Sequence, residues 1–394
     1  MGKMLFYNAN VYVPGGKVLD GGAVFVQDGK IARVFRAAAD IPAGLKTGDS
    51  VDVGGNRLVP GFIDVHVHGG GGFDVMSGDP GDIAGMSIFH AAKGTTSFLA
   101  TTLTDSREKI EKAVAATVKA MEAGTPGAEP AGIHLEGPFL NAERCGAQDP
   151  KYIRGGTIAE LDGYMRLAKG NVRLITIAPE QEGNMEVVRY AAKAGITVSI
   201  GHSDANLATV REAIAAGATH VTHLFNGMRG IHHREPGTAG AALMFDELAV
   251  ELICDGIHVH KDLVSYVYRV KPADKIVLIT DCVQAAGQPD GEYRLADLPV
   301  ILKDGQVRLK NADGSAGNLA GSSLTLDKAL QNARSYTNKS LAEVLPSLTI
   351  NPARQIGLDR RKGSIEQGKD ADLVILDDGL HVLATYVKGK KVFG

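Results

Sequence analysis

Eight short apolar runs, separated by amphipathic segments, constrain this chain more than any other feature. They read LVPGFIDVHVHG, TTSFLATT, AGIHLEGPF, VRLITIAPE, ITVSIGHS, THVTHLFN, VELICDGIH and KIVLITDCV. Between most of them lie stretches of helical periodicity, such as REKIEKAVAATVKAMEAG and NLATVREAIAAG. Strands that are apolar along their whole length must be covered on both faces, as in a parallel sheet under helices. Eight such units predict an α/β fold, a closed (β/α)8 barrel of the TIM type. An open doubly wound sheet fits less well, because no GxGxxG follows the first run. After the eighth run, AAGQPDGEYRLADLPVILKDGQVRLKNADGSAGNLAGSS predicts a hairpin-bearing loop or lid.

The two ends of the chain have another texture. MLFYNANVYV and GGAVFVQDGKIARVFR near the start, and ADLVILDDGLHVLATYVKGKKVFG at the finish, alternate apolar and polar residues between Gly and Asp turns. Neither end has enough strands to bury a face alone. They are therefore expected to meet in one small β-sandwich domain, residues 1–58 with 356–394, flanking a barrel over 59–355. A length of 394 residues suits one large and one smaller unit.

Bulk properties exclude several partners. The net charge is −3 and no basic stripe is visible, so nucleic acid is not expected. No apolar run reaches the length of a membrane span, and the first residues lack a signal-peptide core. Cys145, Cys254 and Cys282 are widely spaced and form no CxxC pair. They read as reduced thiols of a cytoplasmic protein rather than a thiolate zinc site.

In a barrel, chemistry gathers at the C-terminal ends of the strands. Here those ends carry His66 and His68, Glu136, His202, His223, Asp255 with His258, and Asp281. His66 and His68 are two apart, so they share one face of their strand. Four imidazoles and the carboxylates of Glu136 and Asp281 suffice for two divalent ions about 3.5–4 Å apart. Zinc, iron, manganese and cobalt all suit such a donor set. The glycines at 69–72 permit close backbone approach. A lone HxH is more often structural than metal-binding, and the case rests on the joint placement at successive strand ends. His220, three residues from His223, is expected to face away from the barrel interior. His90 in a helix, His260, and His381 near the end are expected to be ordinary polar residues.

These residues also carry a resemblance. PGFIDVHVHG and GSIEQGKDADLVILD resemble segments of the amidohydrolase superfamily. HLEGPFLN, IGHSDA, THLFNGM, REPG, DGIHV and TD followed by AAG resemble, in order and over nearly the whole length, the N-acetylglucosamine-6-phosphate deacetylase family within it. The resemblance implies one metal on Glu136, His202 and His223, and a second on His66 and His68, which some members lack. It implies one or two divalent ions per chain, zinc or iron first, with manganese or cobalt as alternatives. Asp281 matches the catalytic base and acid, His258 a substrate-contacting histidine, and Arg234 a phosphate-binding arginine. Asn226 and Gly227 match phosphate contacts. Ala147, Leu319, Ala320 and Gly321 match positions near the sugar. Two departures stand out: Cys282 after the aspartate, and Gln148 where many members place histidine.

The implied reaction removes the acetyl group of N-acetylglucosamine 6-phosphate, giving glucosamine 6-phosphate and acetate, in amino-sugar catabolism and cell-wall sugar recycling. A metal lowers the pKa of bound water from about 15.7 to about 7. Asp281 takes a proton from that water, and the hydroxide attacks the carbonyl. Asp281 then returns the proton to the amine nitrogen. In the family the arginine reaches the neighbouring subunit's site, which implies a homodimer, with a dimer of dimers as the larger form. Two other readings remain at this stage: another amidohydrolase chemistry on a cyclic amide or a purine, and a non-catalytic scaffold that keeps the fold.

Overall fold

The computed structural model describes residues 2–46 and 49–394. Eight parallel strands form the barrel wall: β1 (Phe62–Val67), β2 (Thr95–Thr101), β3 (Glu129–Glu136), β4 (Val172–Ile177), β5 (Thr197–Ile200), β6 (Ala218–Val221), β7 (Ala249–Ile253) and β8 (Ile276–Ile279). Neighbours follow sequence order from β1 to β8 without interruption. Every residue of β1, β2, β7 and β8 is buried, as continuous apolar runs require.

Helices cover the outside: α1 (Pro80–Ala91), α2 (Arg107–Ala123), α3 (Ile158–Leu167), α4 (Asn184–Lys193), α5 (Leu207–Ala216), α6 (Gly237–Met244), α7 (Lys261–Val270) and α8 (Leu326–Thr337). Their limits follow from local chemistry. Ser106 caps α2 by accepting the N–H of Lys109, and the helix stops at Gly124. It buries Ile110, Ala113, Val114 and Thr117 against the wall. Asn206 caps α5 in the same way, and Gly217, at φ 111°, ends it.

The seam between β8 and β1 closes just beyond β8. The N–H of Asp281 donates to the carbonyl of His66 (2.9 Å), and that of His68 to the carbonyl of Cys282 (2.9 Å). Val67 and Cys282 form a parallel bridge. Below them the hydroxyl of Thr280 donates to Asp64 Oδ2 (2.6 Å).

The excursion after β8 is a four-stranded antiparallel sheet, Gly291–Leu295, Leu298–Lys303, Gln306–Lys310 and Ala316–Leu319. It returns to the barrel mouth through a bridge between Cys282 and Ser322.

The chain ends share one eight-stranded sheet. Its pivot is Arg57–Pro60, which runs antiparallel to Leu373–Leu376 and parallel to Lys3–Val13. Alternation sends Phe6 to a core shared with Leu373 and Tyr386, and Leu5 to a second core with Phe25 and Phe35 on the other face. Lys362, 1 % exposed, fastens this sheet to the barrel. Its ammonium lies 2.5 Å from Asp372 Oδ2 and 2.7 Å from Oε2 of Glu129, the first residue of β3.

Candidate metal centre and active site

His66 and His68 project from β1 into the barrel, and Glu136 is the last residue of β3. His202, His223 and Asp281 each lie two residues beyond their strands. Their φ values are 46°, 27° and 51°. L-residues rarely adopt this left-handed backbone, and it clusters where function constrains the chain. Here it turns three side chains across the mouth. Gly201, just before His202, passes the side chains of Thr222 and Thr176 at distances that a Cβ would reduce to 2.6–2.9 Å.

Two groups of donor atoms result among the described residues, His66 with His68 and Asp281, and Glu136 with His202 and His223. In the first, His66 Nε2 lies 3.2 Å from His68 Nε2 and 3.6 Å from Asp281 Oδ1, and His68 Nε2 lies 3.2 Å from Asp281 Oδ1. In the second, Glu136 Oε1 lies 3.3 Å from His202 Nε2 and 3.2 Å from His223 Nε2, which are 3.1 Å apart. Glu136 joins the groups, with Oε1 3.4 Å from His66 Nε2 and Oε2 3.3 Å from His68 Nε2. Ligands about 2.0–2.2 Å from a tetrahedral ion stand about 3.3–3.6 Å from one another, so the spacing is close to that of a coordination shell.

The ring orientations test the fit of a metal. Each Nδ1 faces an acceptor: Glu251 Oε2 for His66 (2.9 Å), and the carbonyls of Thr101 for His68 (3.2 Å), Arg144 for His202 (2.8 Å) and Asn226 for His223 (3.0 Å). The proton of each neutral ring therefore sits on Nδ1, and the Nε2 lone pairs converge. Lone pairs and carboxylates aimed at one another demand a cation, and this outward bonding is how metal-binding histidines are held. The protein's own charges point the same way. Burial pushes Glu136 towards neutrality, but His66, His202 and His223 outweigh it and hold the carboxyl well below its usual range.

The donors open into a cavity of 240 Å³ lined by Ala147, Gln148, Asn226, Gly227, His258, Leu319 and Gly321, among others. His258 is fixed by Asp255, whose Oδ2 lies 2.6 Å from Nδ1. Burial opposes its charge, but Asp255 prevails and raises its pKa. Gln148 donates to Glu136 Oε2 (2.6 Å) and accepts the N–H of Thr104 (2.7 Å), so it acts on a candidate ligand directly. Ala320 is buried behind the lining, and Cys282 turns its thiol towards the carbonyl of Val283. Arg234 does not reach the cavity of its own chain. It lies in the exposed segment 231–234 and contacts His233.

Some histidines depart from expectation. His220 is fully buried inside the barrel, with Nε2 3.1 Å from Glu251 Oε1. Counting back from His223 fails because β6 ends at Val221 and the backbone turns before His223. His90 is buried too, with Nε2 3.0 Å from the carbonyl of Gly69. His260 caps α7 and His381 pairs with Asp377, both exposed. The side chain that sequence reasoning missed is Glu251, wholly buried within β7. Its signal was present, a carboxylate in the apolar run VELIC.

A parallel barrel with paired histidine and carboxylate donors at its strand ends defines a metal-dependent hydrolase of the amidohydrolase type. The model of the amidohydrolase family matches residues 57–392. N-acetylglucosamine-6-phosphate deacetylase of Bacillus subtilis (strain 168) is 37% identical over 396 residues, covering 100% of this chain and 98% of its own. N-acetylgalactosamine-6-phosphate deacetylase of Escherichia coli O157:H7 is 38% identical, covering 94% and 95%. A mutant N-acetyl-D-glucosamine-6-phosphate deacetylase from Mycobacterium smegmatis, solved in complex with N-acetyl-D-glucosamine-6-phosphate, superposes with a TM-score of 0.91 at 32% identity over 100% of both chains. The chain belongs to the amidohydrolase family and, within it, to the N-acetylglucosamine-6-phosphate deacetylases.

Proposed function

We propose that this protein hydrolyses the acetamide of N-acetylglucosamine 6-phosphate to glucosamine 6-phosphate and acetate. The observation that carries the reading is the convergence of four Nε2 atoms and two carboxylates beside a cavity walled by His258 and Asn226. A divalent ion held by these donors supplies Lewis acidity to the carbonyl and acidifies the attacking water. Asp281, at the cavity edge, accepts the proton of that water through its carboxylate. His258, held by Asp255, which raises its pKa, is placed to donate to the carbonyl oxygen as charge builds there. Asp281 then passes its proton to the leaving nitrogen. Ala147, Leu319, Ala320 and Gly321 shape the sugar side, and Asn226 and Gly227 face the phosphate. Zinc or iron is the proposed ion, as the family resemblance implies, and manganese or cobalt suits the same donors.

The phosphate calls for a fixed positive charge, and the cavity's own lining contains no lysine or arginine. Arg234, exposed beside Ile231, is proposed to meet it in the site of a second copy, in a homodimer. Among the described residues no helix is long and apolar enough to cross a membrane. Three free cysteines support a reducing, cytoplasmic setting.

One observation favours a second substrate. The Escherichia coli relative acts, by its name, on the galactosamine epimer at nearly the same identity. The deciding experiment is elemental analysis of the purified protein with deacetylation assays on both 6-phosphate epimers and on unphosphorylated N-acetylglucosamine. Turnover of the first sugar with bound metal is expected. Bound metal without turnover of any of them refutes the reading.

A further inference from the structure

The four candidate ligand histidines are not backed alike. His68, His202 and His223 direct Nδ1 at backbone carbonyls, which are neutral. His66 alone directs Nδ1 at a carboxylate, that of Glu251. Glu251 does not line the cavity, and its flanking residues Val250 and Leu252 are apolar. An apolar side chain would serve packing at this position better than a buried charge.

The contacts of Glu251 suggest why it is there. Oε2 accepts from His66 and also from the backbone N–H of His223 (3.1 Å). Oε1 faces His220 Nε2 at 3.1 Å, and His220 Nδ1 lies 3.3 Å from Gln355 Oε1. One side chain from β7 therefore links a member of each donor group, and β6 contributes the histidine that holds its other oxygen.

We propose that Glu251 is a positioning residue for the metal centre, with His220 as its support. Its charge fixes the Nδ1–H tautomer of His66 and makes Nε2 a stronger donor, so the His66, His68 and Asp281 group holds its ion more tightly than carbonyl backing would allow. The inference rests on the metal-dependent reading above, but not on the identity of the substrate.

The test uses the full chain loaded with zinc and dialysed against a graded series of chelator, with metal counted by elemental analysis. Glu251→Gln keeps the shape and an acceptor for His66 but removes the charge. One ion per chain is expected to leave at about 10–100-fold lower chelator concentration than in the wild type. The other ion is expected to leave near its wild-type point, and the metal-free protein to melt as the wild type does. Superimposable release curves overturn the proposal. Equal loosening of both ions with a lower metal-free melting temperature assigns Glu251 a structural role and also overturns it. If Glu251→Gln does not fold, His220→Leu keeps the charge but strips one oxygen of its partner. A smaller shift of the same ion is then expected, and a wild-type curve refutes the idea. Zinc-loaded wild type that deacetylates nothing sinks the proposed reaction, while the release curves still decide the role of Glu251.

Discussion

Asp281 Oδ1 lies 3.2 Å from His68 Nε2, so the candidate acid and base touches the donor set it serves. Asp281→Asn keeps the shape and one acceptor oxygen but cannot take a proton. Turnover is expected to fall by at least about 10²–10⁴-fold, the usual range for general acid–base groups. Metal at the Glu136, His202 and His223 group should persist. Steady-state kinetics with metal analysis checks both, and near-normal kcat refutes the role.

Replacing His66 with Asn and His68 with Gln removes two of the three donors of one group and leaves the other intact. Metal content is expected to drop towards one ion per chain, with part of the activity retained. Elemental analysis of the double variant reads this directly. Unchanged stoichiometry would make these histidines structural.

Arg234→Ala should harm the phosphorylated sugar far more than the unphosphorylated one. Charge-assisted bonds to phosphate are worth about 1.5–3 kcal/mol each. Loss of two therefore means roughly two to four decades in kcat/KM. Mixing Arg234→Ala chains with Asp281→Asn chains should rebuild one competent site per heterodimer. Absence of recovered activity, with heterodimers demonstrated, excludes the cross-subunit arrangement.

His90 gives a pH signature. Burial lowers its pKa from 6.5 to about 4 against the opposing bond to Gly69. Between those values the unfolded chain binds the proton and the folded chain does not. Stability from this group is therefore complete above 6.5 and is lost as pH falls towards 4, by roughly 3 kcal/mol in all. Denaturant unfolding of wild type and His90→Gln at pH 4.5 and 7 should show a shallower pH dependence in the variant. Equal slopes would show that the ring charges freely in the folded protein.

Much of this was legible in the sequence, for physical reasons. Strands covered on both faces must be apolar throughout, so the eight runs stood out. Residues two apart on a strand share a face, so the spacing alone pairs His66 with His68. Parity fails where strands end. Counting from His223 puts His220 outside, but the count runs through a turn before His223, where the backbone is no longer extended, and His220 meets Glu251 inside. Glu251 does not stand out in the sequence because the other candidate residues lie at strand ends, whereas its carboxylate sits one layer below, within β7. The antiparallel order of the excursion's four strands depends on pairing that periodicity alone does not give.

The seam of the barrel ties assembly to chemistry. Its closing hydrogen bond runs from the amide of Asp281 to the carbonyl of His66, joining the candidate base to the first candidate metal ligand across more than half the chain. The last barrel strand cannot dock in register without delivering that carboxylate to the mouth. A chain without β8 would lack both the strand that completes the wall and the carboxylate of Asp281, so closure and the candidate base are gained or lost together.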